Sequence, residues 1–157
     1  MDEENKSVEA VEHEITIFLR MVEFVHKETG TLDRSAYLLL GEIAQKGPLG
    51  MNVLAQTFQL DISTISRQVV ALESSGLVER FSNPVDARVS LLQISALGQT
   101  KFQETHKIRY TLFSELLENW PEEDRRQFGI YLERFNQAVR RRRNGLTNMP
   151  QGSNVLV

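Results

Sequence analysis

The feature that most constrains the fold is a pair of short helical segments separated by only about three residues. Residues 51–58 and about 62–75 have helical character, and residues 59–61 connect them, so the pair is predicted to form a helix-turn-helix. Gly76 closes the second helix, and the β-prone segments LVERF and RVSLLQI follow it. The turn SNPVDA separates these two segments, and its Asn, Pro and Asp favour a tight reversal. A β-hairpin is therefore predicted directly after the helix pair.

Helix-turn-helix followed by a hairpin is the layout of a winged helix, whose second helix enters the DNA major groove. Placing Ile65, Val69 and Leu72 inward leaves an opposite face of small hydroxyl side chains around one arginine. Short side chains permit close approach, and Arg67 can bond the O6 and N7 atoms of guanine together. The alternative is that the hydroxyls only cap the helix and Arg67 is solvated. The predicted DNA-contacting residues of this helix are Ser63, Thr64, Ser66, Arg67, Gln68 and Val70.

The segments on either side of this core are predicted to be long helices with wide apolar faces, which a lone winged helix cannot cover. The first helix carries apolar residues at steps of three and four, namely Val8, Val11, Ile15, Phe18, Val22 and Val25. The predicted fold is mainly α with a small β-hairpin. Its parts are an N-terminal dimerisation helix in 1–32, a winged helix-turn-helix domain in 33–100, C-terminal dimerisation helices in 101–143 and a flexible tail in 144–157. A homodimer follows from the uncovered faces.

Local signals place the ends of these helices. Asp33 and Ser95 are predicted N-caps, and Pro121 opens the final helix. Gly30, after Thr29, is predicted to end the first helix. One stripe is predicted along the helix after Ser95, formed by Phe102, His106, Tyr110, Phe113, Leu117 and Trp120.

Composition limits the class of protein. The 157 residues include no cysteine, which excludes disulfides and thiolate sites, and no segment resembles a secretion signal or a membrane span. A folded cytoplasmic protein is expected. The net charge of -3 opposes nucleic-acid binding when taken alone. However, residues 1–32 hold 8 acids against 3 bases, while residues 101–157 hold 7 acids against 10 bases. The acidity is therefore concentrated at the N-terminus.

The run PLGMNVLAQTFQLDISTISRQVVALESSGLVERFSNPVDARVSLLQISALG resembles the DNA-binding core of the MarR family of bacterial and archaeal transcription regulators. The resemblance implies that Arg88, at the wing tip, enters the minor groove or contacts phosphate while Asp86 orients it. The alternative is an ordinary surface ion pair. The chain departs from the family at Gln59, where a glycine is frequent, and at Gly50, where Thr or Ser is the commoner cap.

The resemblance also implies a function. We expect a ligand-responsive repressor that binds a pseudo-palindromic double-stranded DNA operator as a homodimer. In the family an effector pocket lies between the dimer arms and the wing domain, and a small aromatic or amphipathic molecule is the expected effector. The side chains assigned to this pocket are Phe18, Phe24, Tyr37 and Phe102. The alternative is a winged-helix protein that binds another protein, an interpretation that the acidic net charge favours.

Other functional classes have little support in the sequence. There is no phosphate-binding glycine loop, no cysteine nucleophile and no paired catalytic carboxylates, so neither an enzyme nor a cofactor is expected. The histidines His13, His26 and His106 lack the short spacing of a metal site. His106 is interpreted as a structural histidine. The run Arg140 to Arg143 is interpreted as a helix end that complements the helix dipole, with a DNA-binding arm as the alternative.

Overall fold

The computed structural model of the chain describes residues 3–27 and 32–147, with side chains described for 6–22 and 32–145. The predicted end of the first helix at Thr29 and Gly30 lies outside the described residues, and so does the segment 148–157. The helices are α1 (Glu3–Lys27), α2 (Arg34–Lys46), α3 (Met51–Phe58), α4 (Ile62–Ser74), α5 (Ala96–Leu116) and α6 (Glu122–Thr147). The strands are β1 (Leu49–Gly50), β2 (Val78–Ser82) and β3 (Ser90–Ile94). The fold is mainly helical with a small antiparallel sheet, as the sequence predicts.

The sheet has three strands rather than the two of the predicted hairpin. Its order is β1-β3-β2, and Leu49 and Gly50 pair with Leu92 and Leu91 of the central strand. The predicted hairpin is confirmed, with Val78 opposite Ile94 at its base. Two residues are too few to show an alternating pattern, so β1 gives no signal in the sequence. It nevertheless joins the start of α3 to the wing.

The two predicted N-caps are confirmed. The Asp33 carboxylate accepts a hydrogen bond from the Ala36 backbone N–H at 2.8 Å, and the Ser95 hydroxyl oxygen accepts one from Gly98 at 2.9 Å. Because an N-cap satisfies an amide that the helix itself leaves unpaired, each side chain fixes where its helix begins. Asp33 therefore starts α2 and Ser95 starts α5.

The turn between α3 and α4 is shaped by Gln59. This residue adopts a left-handed conformation with φ 53° and ψ 44°. It is the only residue other than glycine with positive φ among the described residues. A side chain costs free energy in this region, which explains why a glycine suits the position better. The departure at Gln59 therefore places slight strain in the backbone of this turn.

The core of the winged helix is built from α2, α3, α4 and the sheet. The inward face predicted for α4 is confirmed, because Ile65, Val69 and Leu72 are all buried. They pack with buried leucines and isoleucines of the neighbouring elements, namely Leu39, Leu40, Ile43, Leu54 and Leu92. Burial of one such side chain stabilises the fold by about 1.5–3 kcal/mol. The opposite face of α4 is thereby held outward.

A close backbone contact sets the position of α5 on this core. A Cβ atom added to Gly98 would lie 2.0 Å from the Leu77 carbonyl oxygen, so the helix can approach only with glycine there. The Ser95 hydroxyl donates a hydrogen bond to the Gly76 carbonyl at 2.6 Å, and the Ser95 backbone N–H donates one to Leu77 at 3.0 Å. The segment ISALG therefore joins the start of α5 to the turn between α4 and β2.

The second half of the chain differs from its predicted boundaries in two places. The helix α5 ends at Leu116, so Leu117 and Trp120 of the predicted stripe lie beyond it. Trp120 instead packs against Phe128 of α6, with ring centroids 5.3 Å apart. The helix α6 continues to Thr147, past the predicted start of a tail at residue 144. The turn-forming residues Asn144 and Gly145 are thus helical.

The chain divides into two compact units, residues 1–115 and residues 116–157. In the first unit, the buried hydrophobic core residues lie between Leu32 and Leu92, while most described side chains of α1 are exposed. In the second unit, every described side chain of α6 except Gln127 is exposed. None of the helices in the described ranges is both long enough and apolar enough to span a membrane.

Candidate nucleic-acid interface

The outward face of α4 presents the residues that the sequence assigns to DNA contact. Ser63, Arg67 and Val70 are exposed, and Thr64 and Ser66 are half-buried beside them. The Arg67 guanidinium lies 3.4 Å from the Thr64 hydroxyl oxygen, a distance at which a hydrogen bond is weak. Arg67 is therefore oriented by its neighbour but remains available to a new acceptor. A two-pronged bond to a base edge requires such an arginine.

Gln68 lies close to α2. It is half-buried and lines a cavity of about 250 Å³ between the start of α2 and α4. Ala36 and Leu39 of α2 line the same cavity, and so does Arg67. Gln68 therefore lies on the α2 side of α4, and its assignment to DNA contact stays a prediction.

The wing tip pairs Asp86 with Arg88. The Arg88 guanidinium donates two hydrogen bonds to the Asp86 carboxylate, at 3.1 and 3.2 Å, and the Arg88 backbone N–H donates a third at 3.1 Å. These bonds lower the pKa of Asp86 below its ordinary value. The Arg88 side chain is 91% exposed, whereas that of Asp86 is 40% exposed. The aspartate thus restricts an arginine that otherwise extends into solvent.

The backbone of the wing supports this pair. The Asn83 amide oxygen accepts a hydrogen bond from the Val85 N–H, and Asn83 donates from its own backbone N–H to the Val89 carbonyl oxygen, both at 2.8 Å. The Val89 N–H donates to the Asp86 carbonyl oxygen at 2.9 Å. Such side-chain bonds to nearby amides are the reason Asn and Asp favour turns. The turn is therefore closed by its own residues, and Arg88 is exposed at its tip.

A second acid and arginine pair at this surface was missed by the sequence reasoning. The Arg80 guanidinium of β2 donates two hydrogen bonds to the Glu73 carboxylate of α4, at 2.9 and 2.8 Å. This two-pronged pair lowers the pKa of Glu73 and raises that of Arg80. The available signal was a pair of opposite charges on either side of the helix-to-strand turn in LESSGLVER.

The residues assigned to an effector pocket are only partly brought together. Tyr37 of α2 stacks on Phe102 of α5 with ring centroids 5.2 Å apart, and Phe102 stacks on His106 at 6.0 Å. Phe18 is exposed, and the side chain of Phe24 lies outside the described residues. The pocket assignment stays a prediction, and the structure places two of its four side chains in contact.

The histidine of this stack has a hydrogen-bonding partner. The Tyr37 hydroxyl lies 2.9 Å from His106 Nδ1, in keeping with the structural interpretation of this histidine. The Arg109 guanidinium lies 4.8 Å from the centre of the Tyr37 ring, within range of a cation–π contact. His26 lies outside the residues with described side chains. Within the described residues, His, Asp and Glu form no group of three or more that could hold a metal ion.

The arginine run of α6 does not lie where the dipole interpretation places it. Because α6 extends to Thr147, Arg140 to Arg143 precede its final turn, which contains no basic residue. The helix dipole acts within the last turn, so the run complements it weakly. Successive residues of a helix point in directions about 100° apart. Four consecutive arginines are therefore spread around the helix axis and are not grouped on one face.

Comparisons with known proteins agree with this geometry. The MarR family model matches residues 32–90, the segment that contains α2 to the start of β3. An uncharacterised HTH-type transcriptional regulator of Bacillus subtilis, YxaD, is 41% identical over 134 residues, which cover 83% of this chain and 94% of the relative. The chain belongs to the MarR family. It is thus a MarR-family transcription regulator, and the resemblance given by DISTISR and the Asp86 to Arg88 tip is confirmed at family level.

Solved MarR-family structures share the fold. A mutant of MarR from E. coli, complexed with operator DNA, superposes with a TM-score of 0.68 at 18% identity and covers 86% of this chain and 99% of that one. The PcaV regulator of Streptomyces coelicolor, in complex with its natural ligand, gives 0.62 at 22% identity and covers 83% and 90% of the two chains. At such identities the likeness concerns the fold alone.

The departures from the MarR pattern leave the candidate interface intact. Gly50 caps α3 without a side-chain hydrogen bond, which weakens that helix start. The same residue pairs with Leu91 in the sheet, so its backbone is held by β3 instead. Neither Gly50 nor Gln59 lies on the exposed face of α4 or at the wing tip.

Proposed function

We propose that this MarR-family protein is a repressor that binds a pseudo-palindromic operator as a homodimer. In each half-site, Arg67 reads a guanine edge in the major groove and Arg88 enters the adjacent minor groove. The observation that carries the proposal is the presence of two exposed arginines on successive elements of one unit. Arg67 has only a weak contact with Thr64, and Arg88 is pre-oriented by Asp86.

The dimer is supported by the exposed apolar faces of the terminal helices. Phe128, Leu132, Phe135 and Val139 recur on one face of α6, and each is more than two-fifths exposed. Large exposed apolar patches are uncommon on stable monomers and mark interaction surfaces. A two-fold dimer presents two recognition helices, so the operator has two related half-sites about one helical turn apart.

Regulation by a ligand is the finer part of the proposal. A small aromatic or amphipathic molecule would bind beside the Tyr37 and Phe102 rings and change the spacing of the two recognition helices. PcaV, a protein of the same fold, has a natural ligand in its structure. A coupling of about 1–3 kcal/mol between the two sites would shift operator occupancy. A screen of phenolic and lipophilic compounds that alters neither thermal stability nor operator affinity would overturn this part.

The test of DNA binding is fluorescence anisotropy on the operator and on random duplexes, over a salt series. Arg67→Ala should lose about 1–3 kcal/mol per half-site and relax the base preference, because the base-edge bond is removed. Arg126→Ala is the matched control, since Arg126 is an equally positive residue of α6 that pairs with Glu123. Equal weakening on specific and random DNA would make Arg67 a phosphate contact instead.

Arg88→Ala provides the second arm of the same test. It should weaken binding to all sequences by a similar factor and flatten the dependence of log affinity on log salt by about 0.9 per wing. A preference for A·T-rich flanks should disappear with Arg88, because narrow minor grooves attract arginine. Asp86→Ala should be milder. If the wild type binds no duplex but retains a protein partner, the protein-interaction alternative replaces this function.

A further inference from the structure

Glu73 and Arg80 connect the two DNA-binding elements of the winged helix. Glu73 lies in the last turn of α4, and Arg80 lies in the middle of β2, the first strand of the wing. The two Arg80 nitrogens that face Glu73 each bond one carboxylate oxygen, at 2.9 and 2.8 Å. A planar guanidinium that meets a carboxylate in this way fixes distance and orientation together.

The third arm of the guanidinium points toward another element. Arg80 Nη1 lies 3.9 Å from the Met51 sulfur, at the first residue of α3. Thioether sulfur is a weak acceptor, so this contact adds packing more than bonding. The arginine therefore touches α3, α4 and β2, which together form the helix-turn-helix and the root of the wing.

The surroundings of this pair differ from those of an ordinary surface ion pair. The side chains of Glu73 and Arg80 are 28% and 31% exposed, whereas those of Glu123 and Arg126 in α6 are 62% and 57% exposed. Salt and water screen a half-buried pair less than an exposed one. Arg80 also has both facing nitrogens occupied by Glu73, in contrast to Arg67 on the neighbouring helix.

We propose that Glu73 and Arg80 are positioning residues, which hold the wing strand at a fixed angle to the recognition helix so that Arg88 meets the minor groove when Arg67 meets the major groove. The inference rests on the proposed DNA-binding function. Neither residue contacts DNA in this scheme. Their pairing determines where the wing tip lies relative to the half-site, and with it the preference for flanking sequence.

Two substitutions separate positioning from charge. Arg80→Lys retains the positive charge but cannot form the two-pronged bond. Glu73→Gln removes a negative charge, so electrostatics alone would tighten binding to every duplex. If the pair positions the wing, both variants instead lose the wing-dependent preference for A·T-rich flanks. Glu123→Gln is the matched control, because it removes the same charge from the exposed pair of α6.

The experiment measures binding affinity by fluorescence anisotropy on operators with A·T-rich and G·C-rich flanks. The temperature is kept well below the thermal unfolding midpoint of each variant. The wild type should prefer A·T-rich flanks, and Glu73→Gln and Arg80→Lys should abolish most of that preference while keeping the base preference of Arg67. Arg88→Ala should cost about tenfold in the wild-type background but less than about threefold after Glu73→Gln, because coupled residues are not additive.

The outcomes distinguish this inference from the function on which it rests. Tighter binding of Glu73→Gln to all duplexes, with the flank preference intact, would make Arg80 a simple charge contact and overturn the inference. The inference would also be overturned if Arg80→Lys kept the flank preference of the wild type. The same holds if Arg88→Ala still cost about tenfold in affinity in the Glu73→Gln background. If the wild type shows no salt-dependent duplex binding at all, the proposed function itself fails.

Discussion

The winged helix and the last helix use apolar side chains in opposite ways. In the winged helix, Leu40, Leu54 and Leu92 have no exposed surface. In α6, Phe135 is 44% exposed and Tyr131 is 59% exposed, although α6 shows the same three-and-four spacing of apolar residues as the buried face of α4. Periodicity thus identifies an apolar face but not what covers it. The winged helix buries its apolar faces within one chain, whereas the apolar face of α6 is exposed in the described part of the chain.

The largest expected effect is on assembly. Phe135→Glu should raise the dissociation constant of the homodimer by about a thousandfold, because burying an unpaired carboxylate costs several kcal/mol. Sedimentation should show the wild type at about twice 18.0 kDa and the variant at the monomer mass. Asn136→Glu is the control, since it adds the same charge at the next, polar position. A wild type that is a stable, folded monomer at micromolar concentration would contradict the dimer.

A smaller effect is expected from adding one methyl group to a glycine of each unit. Gly98→Ala should destabilise the winged helix by about 3 kcal/mol, since the new carbon would lie 2.0 Å from the Leu77 carbonyl oxygen and the backbone must move. Gly129→Ala in α6 meets nothing within 4 Å and should instead stabilise its helix by up to about 1 kcal/mol.

Denaturant unfolding of both glycine variants checks this contrast. A tolerated Gly98→Ala would mean that α5 can shift on the Leu77 backbone and is held less tightly than its contacts indicate. A destabilising Gly129→Ala would place that surface of α6 inside the dimer interface and sharpen the contrast between the two units. Sedimentation of the same samples distinguishes loss of the fold from loss of the dimer.

The sequence predicts most of the winged helix because its signals there are local. The spacing of Ile65, Val69 and Leu72 gives the inward face of α4, and Ser95 gives the start of α5. The third strand at Leu49 is missed because two residues carry no period. The extension of α6 past Asn144 is missed because an existing helix propagates more easily than a new one forms, so it can continue through a few turn-forming residues.

In the candidate site, too, the sequence predicts only those features that depend on residues close together in the chain. The outward position of Arg67 follows from helical geometry, and the pairing of Asp86 with Arg88 follows from a spacing of two residues. The pair formed by Glu73 and Arg80 depends on how a strand returns along a helix end, which is a tertiary relation. Gln68 stays a predicted DNA contact, and its half-buried position beside α2 depends on helix packing, which the spacing of residues along one helix does not give.

The smallest expected effect compares two ion pairs across pH. Hydrogen bonds from their arginines lower the pKa of both Glu73 and Glu123 from the ordinary 4.5. A carboxyl group whose pKa is lower in the folded state binds fewer protons there than in the unfolded chain. Its stabilisation is therefore fully present above the ordinary value and is lost as pH falls through the lowered one.

Thermal unfolding of wild type, Glu73→Gln and Glu123→Gln from about pH 7 to about pH 3 should show this loss directly. Near neutral pH, Glu73→Gln should lower the midpoint more than Glu123→Gln, because its pair is half-buried and spans three elements, whereas the other lies exposed on one helix. Added salt should reduce the Glu123→Gln effect first. Each penalty should shrink as pH falls through the lowered pKa of the carboxyl, since the wild-type side chain then loses its charge and is neutral like Gln. A Glu73→Gln penalty that persists unchanged in acid would mean that the Glu73 side chain stabilises the fold by packing. The two ion pairs would then differ in how they pack and not in the strength of their charge interaction.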